Sequence, residues 1–536
     1  LAARVIYRFF FLLPKIDMTR ISSMTKEGGV NMNKAIQAFL GVLTFVAGSA
    51  ISSSAFAGEY LVKYRSPFGI MSFNSSRVQV MDQNSAGQLL KVNIPSAFKV
   101  QAMVDLISNP NVEYVVPNVR LKAFSAPVDA ENLREQWAIK KVQAEAAWAK
   151  AGNRGSKQVV VAVIDTGVDY THKDLAPNMI PGYDFAGRDN DPQDETSAQN
   201  PGHGTHCAGI IGAAGVVQGG IIGLSPEVSM MPIRFLDKNG SGDLNNGIKS
   251  IDYAIEKKVD VISASWGAAI SRAQARPLIE AVERAEKAGI VFVVAASNEG
   301  KNNDTFEVYP AKAGLSNTIA VAASNSADGK PQWSNFGRST VDVAAPGDAI
   351  MSTLPGNKYN NLSGTSMATP LVAGLVALIK ANDPTLKPAE IRSLIQATGA
   401  KVAIQTACDC RIDALGAVET VKDRKMFVHP YAATFKVGDR VQFTGIYGEA
   451  PFSFVSSATN VAEISPSGEL TAKANGETVI TVKDARGVTA TSHKIIVGKA
   501  SGGDDGGGGT PGDCPLGDQA LCDILCQIIP NAPFCR

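Results

Sequence analysis

The chain has 536 residues, 45% of them apolar and 19% charged, an ordinary globular balance that excludes a wholly disordered protein. At ~100–200 residues per domain, this length implies about three or four units. Its 51 basic and 50 acidic residues leave a formal charge of +1, so nothing recommends nucleic acid or an anionic membrane as partner.

Residues 1–31 begin with Leu1 and hold a short apolar run over 6–13, interrupted by Arg8 and ended by Pro14. That is too short to span a bilayer, which takes about 20 residues. From Met32 the layout is Lys34, an apolar run over 35–51, then Ser52-Ser-Ser-Ala-Phe-Ala57. This is the basic, apolar and small-residue order of a secretory signal peptide. Export with cleavage after Ala57 is expected, with translation starting at Met24 or Met32; a retained N-terminal anchor is the alternative.

Residues 58–126 read as a small α+β unit. Strands are expected at 59–64 and 88–94, a helix at 97–107, and a β-branched strand at 112–116 stopped by Pro117. Periodicity is lost over 123–132, where an exposed linker is expected. Residues 127–424 then alternate apolar runs with helical stretches. The runs 159–165, 230–235, 259–263, 290–296, 319–323 and 341–344 read as strands buried on both faces, and 137–150, 246–257, 277–288, 387–396 and 412–421 as helices. The expected fold is α/β, a mainly parallel sheet flanked by helices.

Over 425–498 the texture changes to short alternating segments at 440–444, 452–455, 469–472, 478–483 and 492–497, the pattern of a small all-β sandwich. A Gly- and Asp-rich linker follows over 499–513. The tail, 514–536, holds Cys514, Cys522, Cys526 and Cys535, enough for two disulfides of open connectivity in an oxidising compartment. Cys408 and Cys410 either bridge locally, under strain, or stay free.

Chemistry concentrates at the ends of the α/β elements. In Asn361-Leu-Ser-Gly-Thr-Ser366, glycine and hydroxyl residues lead into an apolar helix, so Ser366 stands at a helix N-terminus with unpaired N–H groups and positive partial charge. Alone, it reads as a helix cap. A nucleophilic serine needs a base, an acid that orients the base, and donors for an oxyanion. His203 opens a small-residue helix from a glycine turn, Asp165 ends an apolar strand, and Asn298 follows a strand end. His203 and His206 are spaced i, i+3 with no Glu between, which is not the zinc-peptidase pattern. His206 is expected to pack and hydrogen-bond within its helix.

Ile164-Asp165-Thr-Gly-Val-Asp169, Gly202-His203-Gly-Thr-His206 and Gly364-Thr-Ser366-Met-Ala-Thr-Pro370, in that order, resemble the three active-site motifs of the subtilisin-like serine proteases. The resemblance covers about 137–421. It implies a serine endopeptidase in which Asp165 orients the imidazole, His203 is base and then acid, Ser366 attacks, and Asn298 with the Ser366 N–H forms the oxyanion hole. It implies no cofactor for catalysis, protein or peptide substrates, and a monomer without a membrane span once mature. Ser265, Trp266 and Gly267 resemble the strand that pairs with substrate backbone. Ala295, Ala296 and Ser297 correspond to the pocket walls. Ser297 stands where relatives commonly carry Gly and Trp266 is larger than usual, so both bear on pocket depth; apolar or aromatic residues are expected before the cut. Cys207 corresponds to a free thiol near the catalytic histidine, sensitive to mercury. The acidic loop with Asp184, Asp189 and Asp191 corresponds to a structural calcium site, with a solvated acidic turn as alternative. Residues 59–117 resemble an inhibitory propeptide, cleaved between 122 and 129 and acting as intramolecular inhibitor. Residues 426–497 resemble bacterial immunoglobulin-like domains. The reading from another class is an inactive adhesin that acts through this β domain.

Overall fold

The computed structural model describes residues 58–65, 77–124, 136–498, 514–532 and 534–535. The expected signal peptide, the stretch 125–135 and the Gly-rich stretch 499–513 lie outside the described residues.

Strand Val160–Asp165 is apolar on both faces because it lies between two helical layers. Val161 and Val163 enter one core with the helices His203–Gly212, Thr365–Asn382 and Ala414–Lys422, whereas Ala162 and Ile164 enter a second core with Leu244–Glu256 and Arg272–Lys287. This alternation is the two-residue period of a strand. Nine strands form the sheet, in the order Ala400–Lys401, Cys410–Arg411, Val343–Pro346, Thr318–Ser324, Val291–Ala295, Val261–Ala264, Val160–Asp165, Ser229–Arg234 and Tyr183–Asp184. Only the short first strand runs antiparallel to its neighbour. The expected parallel α/β sheet is therefore what the chain forms. It is built to one side of Val160–Asp165 and then to the other, so a crevice opens at the carboxyl ends of the central strands. Helix Thr365–Asn382 is apolar enough to cross a bilayer, but 89% of it is buried in the protein. It runs through the first core as its central rod.

Several boundaries differ from the sequence reading for local reasons. The single helix expected over 137–150 is two, Trp137–Lys141 and Ala144–Ala151, separated at Gln143, whose φ is 58°. The helix expected from Pro277 starts at Arg272, because Ser271 and Gln274 form a reciprocal capping box that outweighs the preference of proline for a first turn.

Residues 58–117 form a four-stranded antiparallel sheet in the order Gln79–Asn84, Leu89–Asn93, Glu59–Tyr64, Val112–Pro117, with helix Lys99–Ile107 against one face. Leu61, Leu89 and Val116 on the other face join the second core of the α/β domain. Lys63 reaches Glu280 at 3.0 Å and Lys91 reaches Asp243 at 3.1 Å across this junction. Arg120–Ala123, expected to run into an open linker, is instead a strand. It pairs antiparallel with Trp266–Gly267 on one side and Ser241–Asp243 on the other. Four residues carry no readable period; their partners make them a strand.

The C-terminal region to Val497 is β-rich, in short sheets around Phe443, Leu470, Ile480, Val482 and Ile495. It is fastened to the α/β domain where Asp383 accepts from Arg424 and from the Tyr447 hydroxyl, and where Ser393 Oγ lies 2.9 Å from His429 Nδ1. Burial first, then Arg392, pulls the His429 pKa down to about 4, so the ring is neutral and the hydrogen bond with Ser393 carries no charge. Cys408 bonds Cys410, Cys514 bonds Cys522, and Cys526 bonds Cys535, leaving Cys207 free and buried.

Trp266 does not narrow a pocket. Its side chain is fully buried, packs edge-on against Phe235 at 4.8 Å, and donates from Nε1 to the Ile164 carbonyl at 2.8 Å. The tryptophan anchors its strand from beneath. Trp266→Ala should cost about 3–5 kcal/mol, the scale of an aromatic-to-alanine truncation in a core. Urea unfolding in a Ser366→Ala background measures it, and a loss under about 1 kcal/mol would contradict this anchoring role.

Candidate active site

Asp165 closes the central strand, and its carboxylate is 1% exposed. Oδ1 accepts from the Thr166 N–H at 2.7 Å and lies 2.7 Å from His203 Nδ1. A carboxylate only accepts, so Nδ1 carries the ring proton and Nε2 presents its lone pair. His203 Nε2 is buried with no hydrogen-bond partner among the described residues. Burial, the largest single influence, opposes the imidazolium, but the charge and hydrogen bond of Asp165 together with the neighbouring Cys207 outweigh it and hold the His203 pKa above its ordinary value.

The pair meets because its elements approach unusually closely. A Cβ at Gly204 would lie 2.1 Å from the Gly167 carbonyl oxygen and 3.0 Å from Asp165 Cβ, so only glycine fits behind His203. Asn200 Oδ1 accepts from the His203 N–H at 2.8 Å, and Asp194 Oδ2 accepts from both the N–H and the hydroxyl of Thr205. Asp194 Oδ1 also accepts from Thr166 Oγ1, which in turn accepts from the Gly204 N–H. Asp194 thus ties the helix start to the strand end. Its burial raises its pKa to about 6 despite these donors. In sequence it is only one more acid of the loop that holds Asp184, Asp189 and Asp191.

Ser366 lies in the first turn of helix Thr365–Asn382, fully buried. Its hydroxyl donates to the Ser265 carbonyl at 3.0 Å, and Ser265 Oγ donates back to the Ser366 carbonyl at 3.0 Å. Asn298 Oδ1 accepts from the Thr365 N–H at 3.0 Å and from Thr365 Oγ1 at 2.9 Å. Its Nδ2 is buried and has no hydrogen-bond partner among the described residues. The preceding Ser297 has φ of 92°, a left-handed backbone that costs a serine on the order of 1–3 kcal/mol. Its N–H donates to Thr365 Oγ1 at 3.3 Å and its carbonyl accepts from the Asn335 N–H at 3.0 Å, which hold that turn in place.

A residue not foreseen from the sequence occupies this mouth. A Cβ at Gly364 would lie 2.8 Å from the Phe124 carbonyl oxygen, 3.2 Å from Asn298 Nδ2 and 3.5 Å from the Ser366 nitrogen, so these three atoms surround one point. The Phe124 N–H donates to the Ser265 carbonyl at 3.1 Å. A Cβ at Gly267 would lie 2.8 Å from the Phe124 ring, so that glycine leaves room for the ring. Ala295 and Ala296 are fully buried, and Ala296 packs in a cluster with Ala322, Val341, Ala344 and Ile404.

Cys207 Sγ donates to the Ser366 carbonyl at 3.4 Å and lies 3.9 Å from His203 Nδ1; burial raises its pKa. His206 is also neutral, its pKa pulled by burial to about 3, and it lies 3.0 Å from the Asn360 carbonyl of strand Lys358–Leu362, not bonded within its own helix.

The acidic loop does not fit calcium through Asp184, Asp189 and Asp191. Asp184 Oδ1 accepts from the N–H groups of Ala186 and Gly187, and its Oδ2 accepts from Arg234, a cation already in place. Asp189 Oδ1 accepts from the Asp191 N–H, and Asp191 accepts from the Tyr170 hydroxyl. Among the described residues, the one convergent group of metal-ligating type is Asp165, His203 and Cys207, which is the hydrogen-bonded pair with its neighbouring thiol.

Residues 156–411 match the model of the Subtilase family. Thermophilic serine proteinase of Bacillus sp. (strain AK1) is 40% identical over 314 residues, 58% of this chain and 74% of that protein. Thermitase of Thermoactinomyces vulgaris is 39% identical over 277 residues, 52% of this chain and 92% of its own length. Subtilisin E of Bacillus subtilis (strain 168) is 34% identical over 359 residues, 66% and 88% of the two chains. The chain therefore belongs to the subtilase family of serine-type endopeptidases.

Proposed function

We propose that the chain is a secreted endopeptidase made as a zymogen, with Ser366 as nucleophile, His203 as general base and then acid, Asp165 as its orienting acid, and Asn298 Nδ2 with the Ser366 N–H as oxyanion hole. Residues 58–126 are its propeptide, and Phe124–Ser125 is the bond it cuts first. The observation that carries this reading is that the Phe124 carbonyl oxygen, Asn298 Nδ2 and the Ser366 nitrogen all lie within 3.5 Å of one point beside Gly364, just past the end of a strand paired with Trp266–Gly267. The export part is supported by the signal-like layout of 32–57 and by three disulfides. Residues 425–498 are an accessory immunoglobulin-like domain, and the enzyme acts on protein or peptide substrates as a monomer.

The steps follow from atoms already in place. Ser366 Oγ–H leaves the Ser265 carbonyl for the free Nε2 of His203, and Oγ attacks the substrate carbonyl carbon. The carbonyl electron pair moves to oxygen, where Asn298 and the Ser366 N–H receive it. The imidazolium gives its proton to the leaving nitrogen, the C–N bond breaks, and an acyl-enzyme remains. Water, deprotonated by His203, then displaces Ser366 and restores the site. Subtilases use no cofactor for this chemistry. Main-chain pairing along Ser265, Trp266 and Gly267 holds substrate largely without regard to sequence, and the room above Gly267 favours an aromatic residue before the cut.

Purified precursor should shorten to a form starting at Ser125, react covalently with a sulfonyl fluoride, and do neither as Ser366→Ala. Mass spectrometry reads both, and a wild-type chain that stays full length and unlabelled would leave the binding-protein reading in its place. Asp165→Asn should lower kcat by on the order of 10⁴-fold, the scale of the same change in another serine protease. It should also displace the acid limb of kcat/KM. Activity needs neutral His203, whose pKa the Asp165 charge raises, so removing that charge lowers the pKa and moves the limb to lower pH. A limb that stays put or moves upward contradicts this role for Asp165.

A further inference from the structure

The C-terminal tail has a partner. Its helix, Gln519–Ile528, is closed by Cys514–Cys522 and Cys526–Cys535 and buries Leu521, Cys522 and Leu525. With Leu516, these residues form one apolar cluster with Tyr60, Val62, Val92, Met103 and Leu106 of the N-terminal unit. No residue of 136–498 belongs to that cluster. Leu525 is 0% exposed in this cluster. At the edge of the patch Lys99 donates to Asp518 at 2.9 Å, and Asp518 also caps the tail helix through the Leu521 N–H. The strand Glu59–Tyr64 therefore has two customers: Leu61 faces the α/β domain, while Tyr60, Val62 and Tyr64 face the cluster that the tail completes.

We propose that the disulfide-linked tail is a retention clasp, which binds the outer face of residues 58–117 and holds that unit on the enzyme after its covalent link is cut. The proposal rests on the reading of 58–126 as propeptide. Once Phe124–Ser125 is broken, the unit is kept only by contacts, and the α/β side of those contacts is rich in ion pairs such as the part-buried Lys63–Glu280 and the buried Lys91–Asp243. The tail adds an apolar contact from the opposite side. Because residues 499–513 join it covalently to the enzyme, it meets the cut propeptide at an effective concentration on the order of millimolar and not as a free competitor. Release then needs two faces to open. The tail thereby sets how long inhibition outlasts the cut, and loss of the propeptide uncovers Leu516, Leu521 and Leu525.

The contact and its consequence are read separately. In the full chain carrying Ser366→Ala, Leu525→Asp should speed hydrogen exchange over 99–107 by at least roughly 10-fold, the scale of a lost buried leucine. Unchanged exchange overturns the proposal whether or not the enzyme processes itself. In the active chain, Leu525→Asp should make the propeptide leave the processed enzyme, and activity appear, at least roughly 10-fold sooner by size exclusion and peptide hydrolysis. Lys99→Glu should speed release by about 2–5-fold, whereas Lys99→Arg, which keeps the charge beside Asp518 and leaves its helix cap intact, should not. Processing at the normal rate with release indifferent to Leu525→Asp and Lys99→Glu overturns the clasp and leaves the zymogen reading standing. A wild-type chain that never shortens overturns the propeptide reading and the retention role with it, and its single full-length band tells the cases apart.

Discussion

The rest of the site depends on one buried contact, the 2.7 Å hydrogen bond from His203 Nδ1 to Asp165 Oδ1. A carboxylate at 1% exposure is costly unless donors and a partner charge surround it. Its oxygens therefore constrain the chain around them: Thr166 must turn its N–H inward, and the helix start must carry glycine at 204 to come near enough. Asp194 stabilises this approach from behind, holding Thr166 and Thr205 with its two oxygens. Two buried carboxylates thus serve one imidazole. One touches the ring, and the other fixes the loop and helix that bring the ring there.

The serine side is built from the same economy of shared acceptors. The Ser265 carbonyl accepts from Ser366 Oγ and from the Phe124 N–H, so one backbone oxygen parks the nucleophile and registers the strand that lies across it. Thr365 does likewise for Asn298, engaging Oδ1 twice while the buried Nδ2 has no hydrogen-bond partner among the described residues. An unpaired buried amide and an unpaired imidazole nitrogen are each unfavourable in a core. Here both stand at the candidate site, the amide beside Thr365 and the imidazole beside Asp165. The strain at Ser297 fits the same pattern, since its left-handed turn carries the chain from strand Val291–Ala295 to Asn298.

The sheet and the three central residues were legible because each depends on local chain. Continuous apolar runs identify strands covered on both faces, and Asp165, His203 and Ser366 sit at element ends where short glycine-containing motifs fix the backbone. What was not legible depends on distant partners. Arg120–Ala123 is a strand only because Trp266–Gly267 and Ser241–Asp243 flank it. Trp266 reads as a large residue beside a pocket, yet strand alternation sends its ring into the core. The acids of the 184–195 loop read alike in sequence, but Arg234 and Thr205 arrive from elsewhere and divide them into an ion-paired Asp184 and a scaffolding Asp194. Composition gives charge; only the fold assigns its counter-charge.

That division also explains the contrast between the molecule's two kinds of interface. Inside the α/β domain, helix Thr365–Asn382 packs on the sheet mainly through Met367 and its Leu, Val, Ile and Ala side chains, a contact with no reason to open. The N-terminal unit instead meets helices Leu244–Glu256 and Arg272–Lys287 through charged side chains: Lys63 with Glu280, Lys249 with Asp82, Arg276 with Glu113, and the Tyr114 hydroxyl on Glu280. Partly buried ion pairs fix register and orientation but return little net stability, because desolvation offsets most of their attraction. Apolar burial by Leu61, Leu89 and Val116 and the strand pairing at Arg120–Ala123 must then carry most of the affinity. The unit is oriented by charge and held by a modest apolar seam. That combination suits a contact made with one geometry and later undone, whereas the core behind Ser366 is built to keep one geometry throughout.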